Sequence, residues 1–145
     1  MTTGSKPLEK LNDPVFGEME YRHSWHRDQS IVWWGRGKRD VTITAHAYNG
    51  KGITDQQRAA YAEYQKNIEQ IIRQSVSIIS DMLRSAFDVN YGNDEIFNKL
   101  VPRSVLFQEN GDWGILFDAE VDVEHGIALY KRNGNWQAGL QDDFL

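Results

Sequence analysis

From Thr54 to Asp88 the chain contains neither glycine nor proline. Nothing interrupts a helix there, and the apolar residues keep the spacing a helix needs. Tyr61, Tyr64, Ile68, Ile71, Ile72, Ile79, Met82, Leu83 and Phe87 recur at intervals of three and four, with charged and polar residues on the other faces. Thr54 and Gln57 match a capping box. The threonine hydroxyl takes a free N–H of the first turn, and the glutamine side chain reaches back to the cap. One helix of about eight or nine turns is expected, ending near Asp88. An apolar stripe of that length has to lie across a whole sheet.

The flanking segments supply the sheet. Val15–Tyr21 alternates weakly, Ser30–Trp34 is rich in β-formers, and Val41–Ala47 alternates cleanly. These read as three antiparallel strands joined by short turns. Asn93–Leu100 reads as a short second helix, with Asn93 as its cap and Pro102 barring its continuation. Further strands are expected at Ser104–Gln108, Asp112–Asp118, His125–Tyr130 and Asn135–Leu140. Asn110-Gly111 and Asn133-Gly134 mark hairpin turns, because both residue types accept positive φ. Strands, then helices, then strands predict an α+β domain. Its sheet is expected to be curved and antiparallel, of about six or seven strands, with both helices (about 54–88 and 93–100) on one face. Residues 1–12 are polar and expected to be flexible, leaving 13–145 as a single domain of ordinary size within 145 residues.

Composition excludes several classes of function. There is no cysteine, so thiolate zinc sites, disulfide scaffolding and thiol catalysis are ruled out. The net charge is −5, which argues against a general nucleic-acid binder relying on lysine and arginine. No segment approaches the roughly 18 apolar residues of a membrane span, and the N-terminal residues lack the apolar core of a signal peptide. A cytoplasmic location and no membrane partner are the expectation.

The chemistry-bearing residues concentrate near the end of the chain. Asp118, Glu120, Asp122 and Glu124 occupy every second position, so in an extended segment they would all point one way. Clustered like charges repel unless something answers them. The answer is a cation, a basic partner or water. Calcium wants several oxygen ligands, but the glycine-containing calcium loop is absent, and Val121 and Val123 favour a strand. Glu124-His125-Gly126 holds an acid/base pair in principle. No nucleophile, metal motif or cofactor motif accompanies it, so His125 reads as fixing the start of a strand, with Gly126 allowing a close approach. His23, His26 and His46 are too loosely spaced for a metal site. Trp33 and Trp34 point to opposite faces if extended, leaving one as a potential interface anchor, whereas Trp113 alternates with Ile115 and Phe117 as a core residue. Arg36, Lys38 and Arg39 form a small basic hairpin tip, and Gly35-Arg36-Gly37 lacks the third glycine and the helix of a phosphate loop. Catalytic residues, cofactor and metal are therefore expected to be absent.

Pro14-Val15-Phe16-Gly17-Glu18-Met19, Ile53-Thr54-Asp55-Gln56-Gln57-Arg58-Ala59-Ala60-Tyr61, Trp113-Gly114-Ile115-Leu116-Phe117-Asp118 and Glu124-His125-Gly126-Ile127-Ala128 form an ordered set. Together they resemble a family of small uncharacterised bacterial domains associated with polymorphic-toxin and contact-dependent inhibition systems. The resemblance covers the chain from about Asp13 onward. It implies an immunity protein that binds a cognate toxin, and it carries no catalytic residue; Glu124, His125 and Gly126 match its most recognisable motif. The expected partner is a protein toxin, such as a basic nuclease domain, covered through the acidic residues Asp118, Glu120, Asp122 and Glu124 and through Trp33 and Trp34. The competing expectation is a divalent-metal- or ligand-binding domain using residues 118–125. Neither reading fixes the oligomeric state.

Overall fold

The computed structural model describes residues 9–32, 38–47 and 51–145. Eight strands form one sheet in sequence order: β1 (Lys10–Asp13), β2 (Gly17–Tyr21), β3 (Trp25–Val32), β4 (Lys38–Ala45), β5 (Leu100–Phe107), β6 (Trp113–Ala119), β7 (Ile127–Arg132) and β8 (Asn135–Leu140). Between β4 and β5 lie α1 (Asp55–Phe87) and α2 (Asn93–Lys99), and the described chain ends in α3 (Gln141–Phe144). The α+β class is as expected.

The long helix forms because its ends are sealed as well as its middle being apolar. Gln57 N donates to Thr54 Oγ1 at 3.1 Å and Thr54 N to Gln57 Oε1 at 2.9 Å. At the other end Asp88 turns left-handed, and the N–H groups of Asp88 and Val89 return to the carbonyls of Arg84 and Leu83. With 33 residues, α1 is about 50 Å long. Gln57 does more than cap. Its fully buried amide donates to His46 O at 2.8 Å and Phe107 O at 3.0 Å, tying the helix start to the ends of β4 and β5.

Three details of the expected fold are corrected. The sheet has eight strands, because Lys10–Asp13 pairs with β2 instead of belonging to a flexible segment reaching residue 12. It is mixed, because β4 and β5 run parallel, with Thr42 opposite Ser104 and Ala45 opposite Phe107. A helical crossover returns the chain to the edge it left, so the next strand runs in the same direction. Finally, a third helix that the expected fold did not include lies on the other face. Residues of α1 and α2 join the main core, while Phe144 of α3 packs with Leu106, Ala128 and Tyr130, which point to the opposite side of the sheet.

The main core is aromatic at its centre. Phe16, Phe107 and Tyr64 meet Tyr61 at centroid distances of 4.4, 5.6 and 5.8 Å. Trp113, expected in the core, is 1 % exposed and stacks on Phe107 at 5.5 Å. Burial pushes the Tyr64 hydroxyl up to about 12. Gly114 is required where it stands: an added Cβ would lie 2.6 Å from Tyr130 Cβ and 2.8 Å from Leu129 O. Among the described residues no helix is long and apolar enough to cross a membrane.

Candidate functional site

The acidic segment is not extended. Asp118 ends the exposed side of β6, Glu120–Asp122 forms a single 3-10 turn, and the chain then turns back into β7. The alternation that would have aligned all four carboxylates is therefore broken after Ala119. Three of the four are answered within the chain. Arg103 Nε lies 2.5 Å from Asp118 Oδ2, and Lys99 Nζ lies 3.0 Å from Glu120 Oε2. Asp122 Oδ1 accepts from His125 N at 3.1 Å and lies 2.9 Å from His125 Nδ1. The His125 N–H first, and then its ring, hold the Asp122 carboxyl below the usual range, while Asp122 raises the imidazole. Lys99 is raised in the same way by Glu120. Glu124 is exposed.

Glu124-His125-Gly126 accordingly builds a turn. Gly126 has φ +66°, its N–H donates to Asp122 O at 2.9 Å, and its carbonyl accepts from Gln141 N at 3.2 Å. A Cβ there would sit 2.3 Å from Gln141 Nε2 and 2.8 Å from Phe117 O. Only glycine joins β7 to α3 at this distance. His125 and Asp122 hold the loop that precedes it.

The histidines are dispersed. His23 is exposed with φ +63°. His26 Nε2 lies 2.9 Å from Arg22 O and its Nδ1 lies 3.0 Å from Thr44 Oγ1, while His46 Nδ1 lies 2.8 Å from Gln108 Oε1. Among the described residues no group of three or more histidine and carboxylate side chains is placed to hold a metal ion. Trp33, Trp34 and Arg36 lie outside the described residues.

A second group of carboxylates emerges from strand register. Directly paired residues share a face. Lys10 opposes Glu20, Asn12 opposes Glu18, Glu20 opposes His26, His26 opposes Thr44, Asp28 opposes Thr42, and Ser30 opposes Asp40. All lie on the side of the sheet away from Met19, Trp25, Val41 and Ile43, which are core residues. Glu18, Glu20, Arg22, His26, Arg27, Asp28 and Thr42 line an open trough of about 580 Å³. Asp28 accepts a bond from Thr42 Oγ1 at 3.3 Å, and Glu20 has a 3.9 Å pair with Arg22, both partners largely exposed.

The floor of this trough is fixed from the other side. Arg27 Nη1 donates to Phe16 O at 2.6 Å, its Nη2 donates to the Tyr61 hydroxyl, and its guanidinium lies 5.7 Å from the Tyr61 ring. Asp13 carries the adjoining turn. Its buried carboxylate accepts from Val15 N and Phe16 N, both at 2.9 Å, and from Arg58 Nε at 2.8 Å. Glu18 and Glu20 are legible in the sequence on one side of a weak strand. Asp28 escapes sequence reasoning, because β3 begins at Trp25 and the charged alternation His26-Arg27-Asp28 hides its strand pattern.

Comparison with protein-family models, with curated proteins and with solved structures finds no match to this chain.

Proposed function

We propose that this chain is a non-catalytic binding protein: an immunity-type module that neutralises a cognate bacterial toxin in the cytoplasm by covering it. The observation that carries the reading is the trough on the side of β2–β4 that no described helix covers, where Glu18, Glu20 and Asp28 stand with Arg22 and Arg27. There Glu18 and Asp28 form no ion pair with another described residue, and only Glu20 has a cationic neighbour at 3.9 Å. A solvent-open concave surface with carboxylates free to take a cationic side chain suits a basic protein partner. A nuclease toxin needs a basic cleft for its phosphates, and opposite charge speeds and orients association.

The docking surface moves away from Asp118, Glu120 and Asp122 on the same grounds. Carboxylates engaged by Arg103, Lys99 and His125 have less charge to offer a partner. Those pairings also remove the support for a divalent-metal site at residues 118–125. The test is protection. Co-expressed with the toxic C-terminal domain of a secreted protein encoded beside it, the chain should restore growth. Glu18→Lys/Asp28→Lys should lose protection, while Glu120→Lys/Asp122→Lys should keep it. Failure of the unaltered chain to protect against such a domain sinks the immunity reading. Equal protection by both double variants sinks the trough.

A further inference from the structure

A sheet of eight strands in sequence order has two edges, β1 and β8. They differ in protection. β1 has four residues, carries Lys10 and Asp13, and is followed by Pro14. Short length, charge and proline are the usual guards of an edge. β8 has six residues, Asn135-Trp136-Gln137-Ala138-Gly139-Leu140, with no charged side chain and no proline.

The hairpin fixes which peptide groups of β8 face outward. Asn133 and Gly134 have φ values of +52° and +81°, as a two-residue type I′ turn requires. In that turn the flanking pair, Arg132 and Asn135, exchanges both backbone bonds, and bonding alternates from there. Asn135, Gln137 and Gly139 therefore bond to β7, and Trp136, Ala138 and Leu140 point away from it. The Leu140 N–H already donates to Asp143 Oδ2 at 3.0 Å. Among the described residues nothing bonds the outward groups of Trp136 and Ala138, and the two lie symmetrically about Gln137.

We propose that β8 is a self-pairing edge, joined antiparallel to β8 of a second copy about a two-fold axis at Gln137. In this register Trp136 faces Ala138 of the second copy, and the reverse pair repeats the contact, so the outward groups of both residues are satisfied in both chains. The side chains suit it. Trp136 and Ala138 point to the core side, where each is half-buried against the main cluster, and a large residue meets a small one at each position. The two Gln137 side chains meet on the opposite side, where amide can bond amide. No like charges are brought together. A two-fold pair also closes, whereas β8 against β1 would repeat into an open filament.

Analytical ultracentrifugation of the whole chain tests this, with twice the 16.8 kDa chain mass expected. Gln137 is exposed, so its substitution leaves the monomer intact. Gln137→Lys and Gln137→Glu should each weaken self-association about fivefold by placing like charges opposite one another. Mixing the two variants should restore association. The chain has no cysteine, so one introduced thiol reports the register. A directly opposed non-hydrogen-bonded pair has Cα atoms about 4.5 Å apart, within disulfide range. Gln137→Cys should cross-link between copies under mild oxidation, and Asn135→Cys should not. A monomeric mass for the unaltered chain overturns the proposal. So does a dimer that ignores both charge variants and forms no Gln137→Cys cross-link; that result assigns the dimer to another surface.

Discussion

Replacing Asp13 with alanine tests whether the turn beneath the trough is held electrostatically. The Asp13 side chain is fully buried and accepts from Val15 N, Phe16 N and Arg58, whose Nη2 also lies 2.8 Å away. The three donors fare differently when the carboxylate goes. Val15 is exposed, so water replaces its bond. Arg58 has a 29 % exposed side chain and keeps Asp55 at 2.9 Å, so it too recovers part of the loss. Phe16 is 0 % exposed, and its N–H is stranded. Hydrogen bonds to charged groups contribute about 1.5–3 kcal/mol each, and a stranded buried donor costs about 1–3. Allowing for rehydration, Asp13→Ala should cost roughly 2–4 kcal/mol. Asp13→Asn keeps an acceptor for the turn and should cost about half as much.

The same residue gives the loss a pH signature. Burial alone would raise the Asp13 carboxyl, but the Arg58 bond and the Phe16 and Val15 N–H groups outweigh it, so the group lies below its ordinary 3.8. A carboxyl depressed in the folded state stabilises fully above its unfolded value, about 3.9. That contribution is lost as pH falls through the folded value. The gap between the unaltered chain and Asp13→Ala should therefore be constant near neutrality and shrink below about pH 4. Urea denaturation followed by tryptophan fluorescence measures both. A loss under about 0.5 kcal/mol, or a gap that persists undiminished in acid, would refute the reasoning.

Three further outcomes are expected. Gln57→Leu removes the amide that joins α1 to His46 O and Phe107 O and should cost roughly 2–3 kcal/mol in chemical denaturation. Gly126→Ala, at φ +66° and with its Cβ 2.8 Å from Phe117 O, should lower stability by roughly 2–4 kcal/mol, and a thermal midpoint within a degree of the unaltered chain would contradict it. Phe144→Ala should cost about 1–3 kcal/mol, less than a central core truncation, because a four-residue helix can readjust; protease sensitivity around residues 141–145 should rise with it.

Local signals carried well wherever one mechanism acted alone. The capping box at Thr54 and Gln57, the glycine- and proline-free helix and the Asn133-Gly134 turn each prescribe a backbone conformation, and all appear. Pairing direction did not carry, because a parallel β4–β5 contact depends on where the crossover lands and not on any residue within the strands. β3 was half hidden: Arg27 and Gln29 point toward the core side, and polar residues there erase the alternation that marks a strand. The acidic run misled for the opposite reason. Strict alternation suggested a strand, but the chain must turn between β6 and β7, and Asp122 spends its carboxylate on His125. Arg103 and Lys99, which neutralise Asp118 and Glu120, are remote in sequence. Alternation in sequence cannot reveal such pairs.

The most direct test of the proposed binding function is the association rate between this chain and a candidate toxic domain that it protects against, measured at low and at high salt. Exposed charges are screened beyond about 8–10 Å at ordinary ionic strength, so a trough that steers its partner loses rate as salt rises. Rapid association at low salt is expected, slowing steeply with salt. Glu18→Lys/Asp28→Lys should abolish that dependence, and Glu120→Lys/Asp122→Lys should leave it unchanged. No association, or association indifferent to salt and to both double variants, would contradict the account.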